Sequence, residues 1–183
     1  MSAAHSAMKG LELLHPDVFE DERGHFLERW NQRRFDDLVG CDVRFVQDNQ
    51  SRSRRGVLRG LHYQVNPSPQ GKLVSCISGA VFDVAVDVRR SSPTFGAWFG
   101  IELTAENHRQ LWIPVGFAHG FLALSDGAEL LYKTTDYYDP AAERSILWDD
   151  PEIGIEWPVG GEPPLVSPKD ALAQPLADAE VFA

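Results

Sequence analysis

The stretch Gly56-Val57-Leu58-Arg59-Gly60-Leu61-His62-Tyr63-Gln64, followed shortly by Gly71-Lys72, gathers an arginine, a histidine and a lysine on what read as consecutive β-strands. Asp48 is the nearest carboxylate upstream, and Arg44, Arg52, Arg54 and Arg55 extend the basic run. In a chain of formal net charge -10, so local a collection of cations asks for an anionic ligand with a base beside it. Charge alone would equally describe a solvated basic edge strand. The imidazole of His62 shifts the balance toward chemistry, because it can take or release a proton near neutral pH.

Two further groups belong to this inventory. His119 is a second candidate base, and Leu130-Leu131-Tyr132-Lys133-Thr134-Thr135-Asp136-Tyr137-Tyr138 is dense in phenols. A tyrosine ordinarily titrates near pH 10, so its use as an acid requires a site that favours its proton transfer. Alternating tyrosines in a strand also serve as half-buried packing residues, and a tyrosine aimed into the same interior as His62 is the arrangement that would make it functional.

The elements that must position these groups are short strands. Phe82, Val84, Val86 and Val88 alternate with Val81, Asp83, Ala85 and Asp87, a strand with one apolar and one mixed face. Residues 98–104, 109–114, 119–125, 129–135 and 145–148 read as further strands between Gly, Pro, Asn and Asp turns. Helical signals are few. Asn31 reads as the N-cap of a helix to Val39 with Gly40 as its stop, and Ser167-Pro168-Lys169-Asp170 carries the cap, first-turn proline and first-turn carboxylate of a C-terminal helix. Many short strands with regular turns predict an all-β sandwich or jelly roll with a few short helices.

At 183 residues the chain is long enough for one sizeable core, and no linker or repeat divides it, so residues 1–183 read as one domain, with 1–9 either disordered or extending a strand. A hydrophobic fraction of 43% and a charged fraction of 24% fit an ordinary soluble protein. The acidic balance argues against nonspecific nucleic-acid binding. No apolar run reaches membrane-spanning length and the first residues lack a secretory pattern, so a cytoplasmic location is expected. Cys41 and Cys76 form no metal-type pair, and Cys76 reads as a buried free thiol.

Jelly rolls of the cupin group often hold a metal on two strand motifs. Pro114-Val115-Gly116-Phe117-Ala118-His119 resembles the second motif, whereas His62 is followed by Tyr63 and Gln64 and lacks the companion histidine and glutamate of the first. The chain thus resembles a cupin without the metal's usual ligand set. A narrower resemblance rests on Arg23-Gly24, Gln47-Asp48-Asn49, Gly56 to Gln64, Ser92 to Gly96, Trp112 to Phe121, Tyr132 to Tyr138 and Trp148-Asp149-Asp150-Pro151. In that order these blocks are similar to the dTDP-4-dehydrorhamnose 3,5-epimerases, which invert two carbons flanking the 4-keto group of a nucleotide sugar without metal or nicotinamide.

The resemblance implies roles. His62 would be the base and Asp170 its dyad carboxylate, although an aspartate in a first helical turn also interacts favourably with free backbone amides. Tyr132 would be the acid on the opposite face of the sugar and Lys72 the cation near the enolate oxygen. Arg23 and Arg59, helped by Lys169 and His119, would clamp the diphosphate, and Tyr138 would stack on the thymine. Glu28, Gln47, Asp48, Asn49 and Glu143 match substrate-contact positions, each also readable as a surface or turn residue. No cofactor is expected, and a homodimer is. The alternatives are an epimerase acting on one carbon of a related keto sugar, or a silent nucleotide-sugar binding module.

Overall fold

The computed structural model describes residues 1–183, apart from the side chain of His5. Ser2–His5 (β1) pairs with Glu12–His15 (β2), so the first residues extend a sheet. Val18–Asp21 (β3) and Gly24–Leu27 (β4) form a separate hairpin, followed by the helix Gln32–Val39 (α1). The remaining strands are Gln47–Ser53 (β5), Leu58–Gln64 (β6), Lys72–Ser78 (β7), Ala80–Asp87 (β8), Trp98–Thr104 (β9), Gln110–Ile113 (β10), Phe117–Ala123 (β11), Ala128–Thr134 (β12) and Glu143–Ser145 (β13). A single helical turn, Pro168–Ala171 (α2), and a 3-10 turn at Leu176–Asp178 complete the chain.

The strands form a six-stranded sheet, β1-β2-β10-β7-β12-β5, and a five-stranded sheet, β13-β6-β11-β8-β9. Together they make a cupin-type jelly roll. Val74, Leu111 and Leu130 of the first sheet meet Val81, Ala85, Leu103 and Phe121 of the second in a shared core. The outer face of the five-stranded sheet is covered too. Val84, Val86, Val88, Leu61 and Tyr63 pack there with Ile153, Leu176 and other residues from the end of the chain. Leu14, Leu73 and Trp112 on the outer face of the six-stranded sheet are covered by Phe35 of α1 and by Val43.

Alternation on β8 therefore works against the simplest reading. Its wholly apolar face lies under the C-terminal segment, and its mixed face, with the fully buried Asp83, looks into the space between the sheets. Polar residues inside a sandwich are the mark of an interior that does more than pack.

The helix signals are realised at their caps. Asn31 Oδ1 accepts the Arg34 backbone N–H at 3.2 Å, and Gly40 ends α1 in the left-handed region at φ 71°. The expected C-terminal helix starts at its Ser167 cap but lasts only one turn. The strand expected over 145–148 is shifted: pairing covers Glu143–Ser145, and Ile146 bridges instead to Gln174. Cys76 is buried and Cys41 exposed, both free.

Candidate active site

Strand parity decides which side chains reach the interior. On β5 the inward positions are Gln47, Asn49 and Ser51, on β12 Tyr132, on β7 Lys72, on β11 His119 and Phe121, and all seven line a cavity. That cavity has two lobes, of 290 Å³ and 580 Å³. His62, Lys72 and Tyr132 belong to both.

Arg59 and His62 are three residues apart on β6, a spacing that would send them to opposite faces of a regular strand. Both nevertheless line the larger lobe. The β6–β11 register explains it: His119 pairs with His62 but Phe121 pairs with Arg59, so β6 holds one residue more than its partner across this interval. This bulge falls at Gly60-Leu61 and re-aims the arginine. Gly60 (φ 138°) faces Gly120, and a Cβ on Gly60 would stand 2.5 Å from the Gly120 Cα. Two glycines let the strands close up where the bulge is needed.

His62 Nε2 lies 2.6 Å from Asp170 Oδ1. Asp170 is buried, with 2% of its surface exposed. Burial pushes its carboxyl up, but hydrogen bonding and ionic attraction from His62, then hydrogen bonds from Ser167 and the Gly60 N–H, outweigh burial and hold it below the usual carboxylate range. An anionic carboxylate on one ring nitrogen fixes the tautomer and leaves the other nitrogen to act as a base.

Lys72 is 8% exposed and donates from Nζ to the His62 carbonyl at 3.1 Å. Burial brings it down to about 8, against the opposing pull of Asp83 and Glu143. Those carboxylates keep a buried ammonium feasible at neutral pH. His119 Nε2 sits 3.0 Å from Asp83 Oδ2, a second imidazole–carboxylate pair deep between the sheets. The Tyr132 phenol is pushed up by burial, with Arg59 pulling it down less strongly, so it stays protonated at neutral pH.

Around the rim, Lys169 Nζ is 2.5 Å from Glu143 Oε2, and the Tyr138 hydroxyl donates to the same oxygen at 2.9 Å. Burial raises Glu143, but its bonds to Lys169 and Tyr138 prevail and lower it. Gln47 Oε1 accepts the Tyr138 backbone N–H at 3.1 Å, while its amide donates to Asn49 Oδ1 at 2.9 Å. Arg59 Nε donates to Ser53 Oγ at 3.2 Å.

Three expected contact residues stand apart from the cavity within this chain. Asp48 is out of phase with Gln47 and Asn49, faces outward and pairs with Lys133 Nζ at 2.9 Å. Arg23 lies on the β3–β4 turn with its side chain 89% exposed and is held by Asp21 at 2.5 Å. Glu28 receives Asn31 Nδ2 at 3.1 Å and pairs with Arg34 at 3.3 Å beside the start of α1. Conversely, Asp83, Gln64 and Ser167 were not singled out from the sequence. Asp83 could have been found as an acid interrupting an apolar strand. Gln64, whose amide bonds Ser68 O, Tyr137 O and the Asp139 N–H, and Ser167, read only as a helix start, gave no site signal. Among the described residues no group of three or more His, Cys, Asp or Glu side chains is placed to hold a metal ion.

Fold and cavity together are those of a cupin-type jelly-roll enzyme equipped for proton transfer on an anionic substrate. The profile of the dTDP-4-dehydrorhamnose 3,5-epimerase family matches residues 5–178, and the chain belongs to that family. It is 56% identical over 182 residues to the dTDP-4-dehydrorhamnose 3,5-epimerase of Shigella flexneri, covering 100% of this chain and 99% of the relative. The Pseudomonas aeruginosa protein of the same name is 57% identical, with coverage of 100% and 99%. A crystal structure of the dTDP-6-deoxy-D-glucose-3,5-epimerase of Legionella pneumophila in complex with dTDP-4-keto-L-rhamnose superposes with a TM-score of 0.94 at 51% identity, over 98% of this chain and 94% of that one.

Proposed function

We propose that this enzyme epimerises C3 and C5 of dTDP-4-dehydro-6-deoxy-D-glucose, giving dTDP-4-dehydro-L-rhamnose. The observation that carries the reading is the His62–Asp170 pair, at 2.6 Å, where both lobes of the cavity meet beside Lys72 and Tyr132. A hydrogen on carbon next to a ketone is weakly acidic, and its removal needs a base and a charge to receive the developing oxyanion. The His62 nitrogen that Asp170 does not hold takes the proton. The C–H electron pair becomes the enolate double bond, with the negative charge on the ketone oxygen against the Lys72 ammonium. Tyr132 then gives its phenolic proton to the opposite face of the carbon, which inverts it; the His62 imidazolium releases the abstracted proton to solvent and solvent returns a proton to the phenolate, which resets both groups. The same cycle serves the second carbon.

Binding of the nucleotide is assigned to residues of the rim and, for His119, of the interior. Arg59, Lys169 and His119 meet the diphosphate, Tyr138 stacks on the base, and Gln47, Asn49 and Glu143 supply polar contacts. Arg23 and Glu28 would reach a substrate only from a second copy, which fits a homodimer. The hairpin that carries Arg23 exposes the cross-strand pair Phe19 and Phe26, at 64% and 70%, an apolar face suited to that contact. No described helix is long and apolar enough to cross a membrane.

Turnover of dTDP-4-dehydro-6-deoxy-glucose in deuterated water tests the proposal. Deuterium at both C3 and C5 with inversion is expected. Label at one carbon would favour a single epimerisation, and none would leave a binding protein. The two faces separate in variants: His62→Ala should stop exchange and inversion together, whereas Tyr132→Phe should retain exchange at the carbons without inverting them. Inversion by Tyr132→Phe at the parent rate would remove Tyr132 from its role.

A further inference from the structure

Asp170 reaches His62 across 108 positions of sequence, on a helix of a single turn. Four residues are too few for a helix to sustain itself, so the contacts at its ends decide its geometry. Packing contributes little: Asp170 is the one buried residue of α2, and Leu172 at its end is 81% exposed. The approach to the turn is tied to β6, with the Leu165 N–H donating to Gly56 O at 2.8 Å and the Leu58 N–H donating to Leu165 O at 3.0 Å. Beyond it the Leu147 N–H donates to Gln174 O at 2.9 Å. Between those anchors, Ser167 Oγ accepts the Asp170 backbone N–H at 3.1 Å.

We propose that Ser167 is a positioning residue for the reaction: by capping the turn at Asp170 itself, its hydroxyl holds that carboxylate on the His62 ring. The inference rests on the epimerase reading for its catalytic consequence, though not for its geometry. The same backbone that the cap grips carries the carboxylate, so loss of the hydroxyl frees the side chain to turn away from Nε2. Ser167 touches neither substrate nor base in this scheme and acts through Asp170 alone.

A carboxylate held against one ring nitrogen keeps the neutral imidazole's proton on that nitrogen. Of the other charged groups lining the cavity with His62, Arg59, Lys72, His119 and Glu143 sit on strands, and only Lys169 shares the capped turn. Removing the cap therefore loosens Asp170, the ring's direct partner, and leaves the strand-borne groups in place.

The test compares the full-length parent with Ser167→Ala and Ser167→Thr. Two readouts are used: kcat against KM, and the tautomer of the neutral His62 ring by NMR on 15N-histidine-labelled protein, assigned against His62→Gln. Ser167→Ala should lose up to about a hundred-fold in kcat, the scale of a small misplacement of a reacting group. Its ring should populate both neutral tautomers where the parent holds one, with the KM for the sugar nucleotide little changed. Ser167→Thr, which keeps the capping oxygen, should restore both. A Ser167→Ala ring that keeps the parent's single tautomer, or a Thr variant as impaired as the Ala variant, overturns the proposal. Should Ser167→Ala fail to fold, Ser167→Gly is judged by the same criteria, because glycine is tolerated at an N-cap yet has no hydroxyl. The tautomer measurement needs no substrate, so a parent that epimerises nothing would refute the functional reading while the test of Ser167 still stands.

Discussion

Lys72 sets a conflict between stability and chemistry at the residue scale. Its ordinary range is near 10.5 and burial brings it to about 8, so charging it costs more in the folded chain than in the unfolded one. The sign follows: below pH 8 the fold carries a disfavoured buried charge, and stability from this group rises as pH climbs from about 8 toward 10.5. The chemistry wants the opposite, since only the ammonium can meet an enolate oxygen. Activity is therefore expected to fall as pH passes about 8, and Lys72→Met should lose that alkaline limb together with roughly 10²–10³ in kcat, while melting no lower than the parent at pH 7. A kcat/KM profile and a thermal melt on both proteins check this, and an unchanged alkaline limb in the variant would place the titration elsewhere. Arg59 makes a simpler case. If it clamps the diphosphate, Arg59→Ala should weaken dTDP binding by about 1.5–3 kcal/mol in calorimetric titration, as for a lost charge-assisted hydrogen bond. At this scale the sequence displayed residue types well and their pairing poorly. His62, Lys72 and Tyr132 stood out by type and motif, but Asp83 looked like one acid of an alternating strand, and only the fold reveals it beside His119.

At the scale of elements, parity and its exceptions govern the site. Alternation along β5 explains why Gln47 and Asn49 line the cavity while Asp48 between them pairs with Lys133 on the outside. That much was legible in principle once the strand was assigned. The bulge on β6 was not, because an extra residue in one strand is a property of the pair and leaves little trace beyond a glycine. Gly60→Ala should test its importance: the left-handed conformation alone costs about 1–3 kcal/mol for a residue with a side chain, and the new methyl meets the Gly120 backbone as well. The variant is expected to melt well below the parent and to lose both dTDP affinity and turnover, since Arg59 and His62 would no longer share a face. A Gly60→Ala protein with parental melting temperature and activity would show that the register tolerates regular alternation. The one-turn α2 teaches a related lesson. Its cap, proline and acid announced a helix start, and nothing in the sequence announced how soon it would stop.

At the scale of the whole molecule, three apolar clusters share strands: β7 and β10 contribute to the inner core and to the one under α1, and β8 and β11 to the inner core and to the one under the C-terminal segment. We propose that residues 1–183 fold as one domain, so calorimetry should give a single transition whose van't Hoff and calorimetric enthalpies agree. Two resolved transitions would mean that the C-terminal segment or the hairpin melts apart. Metal dependence is read at the same level. With no three-residue ligand group among the described residues, activity is expected to survive chelation, and loss of turnover restored by zinc, iron or manganese would overturn that expectation. The jelly roll itself was legible from strand spacing. The layering was not, since nothing local to β8 says that its greasier face looks away from the partner sheet.

The length of chain between the two members of the dyad bears on how this enzyme comes into being. His62 is made 108 residues before Asp170, and the intervening segment supplies half of the six-stranded sheet and four of the five strands of the other. A ribosome thus finishes the scaffold, the lysine and the phenol before it supplies the carboxylate that completes the base. On the proposed roles, a chain released before residue 170 lacks the carboxylate and is expected to be inert toward keto sugars however well its strands have paired.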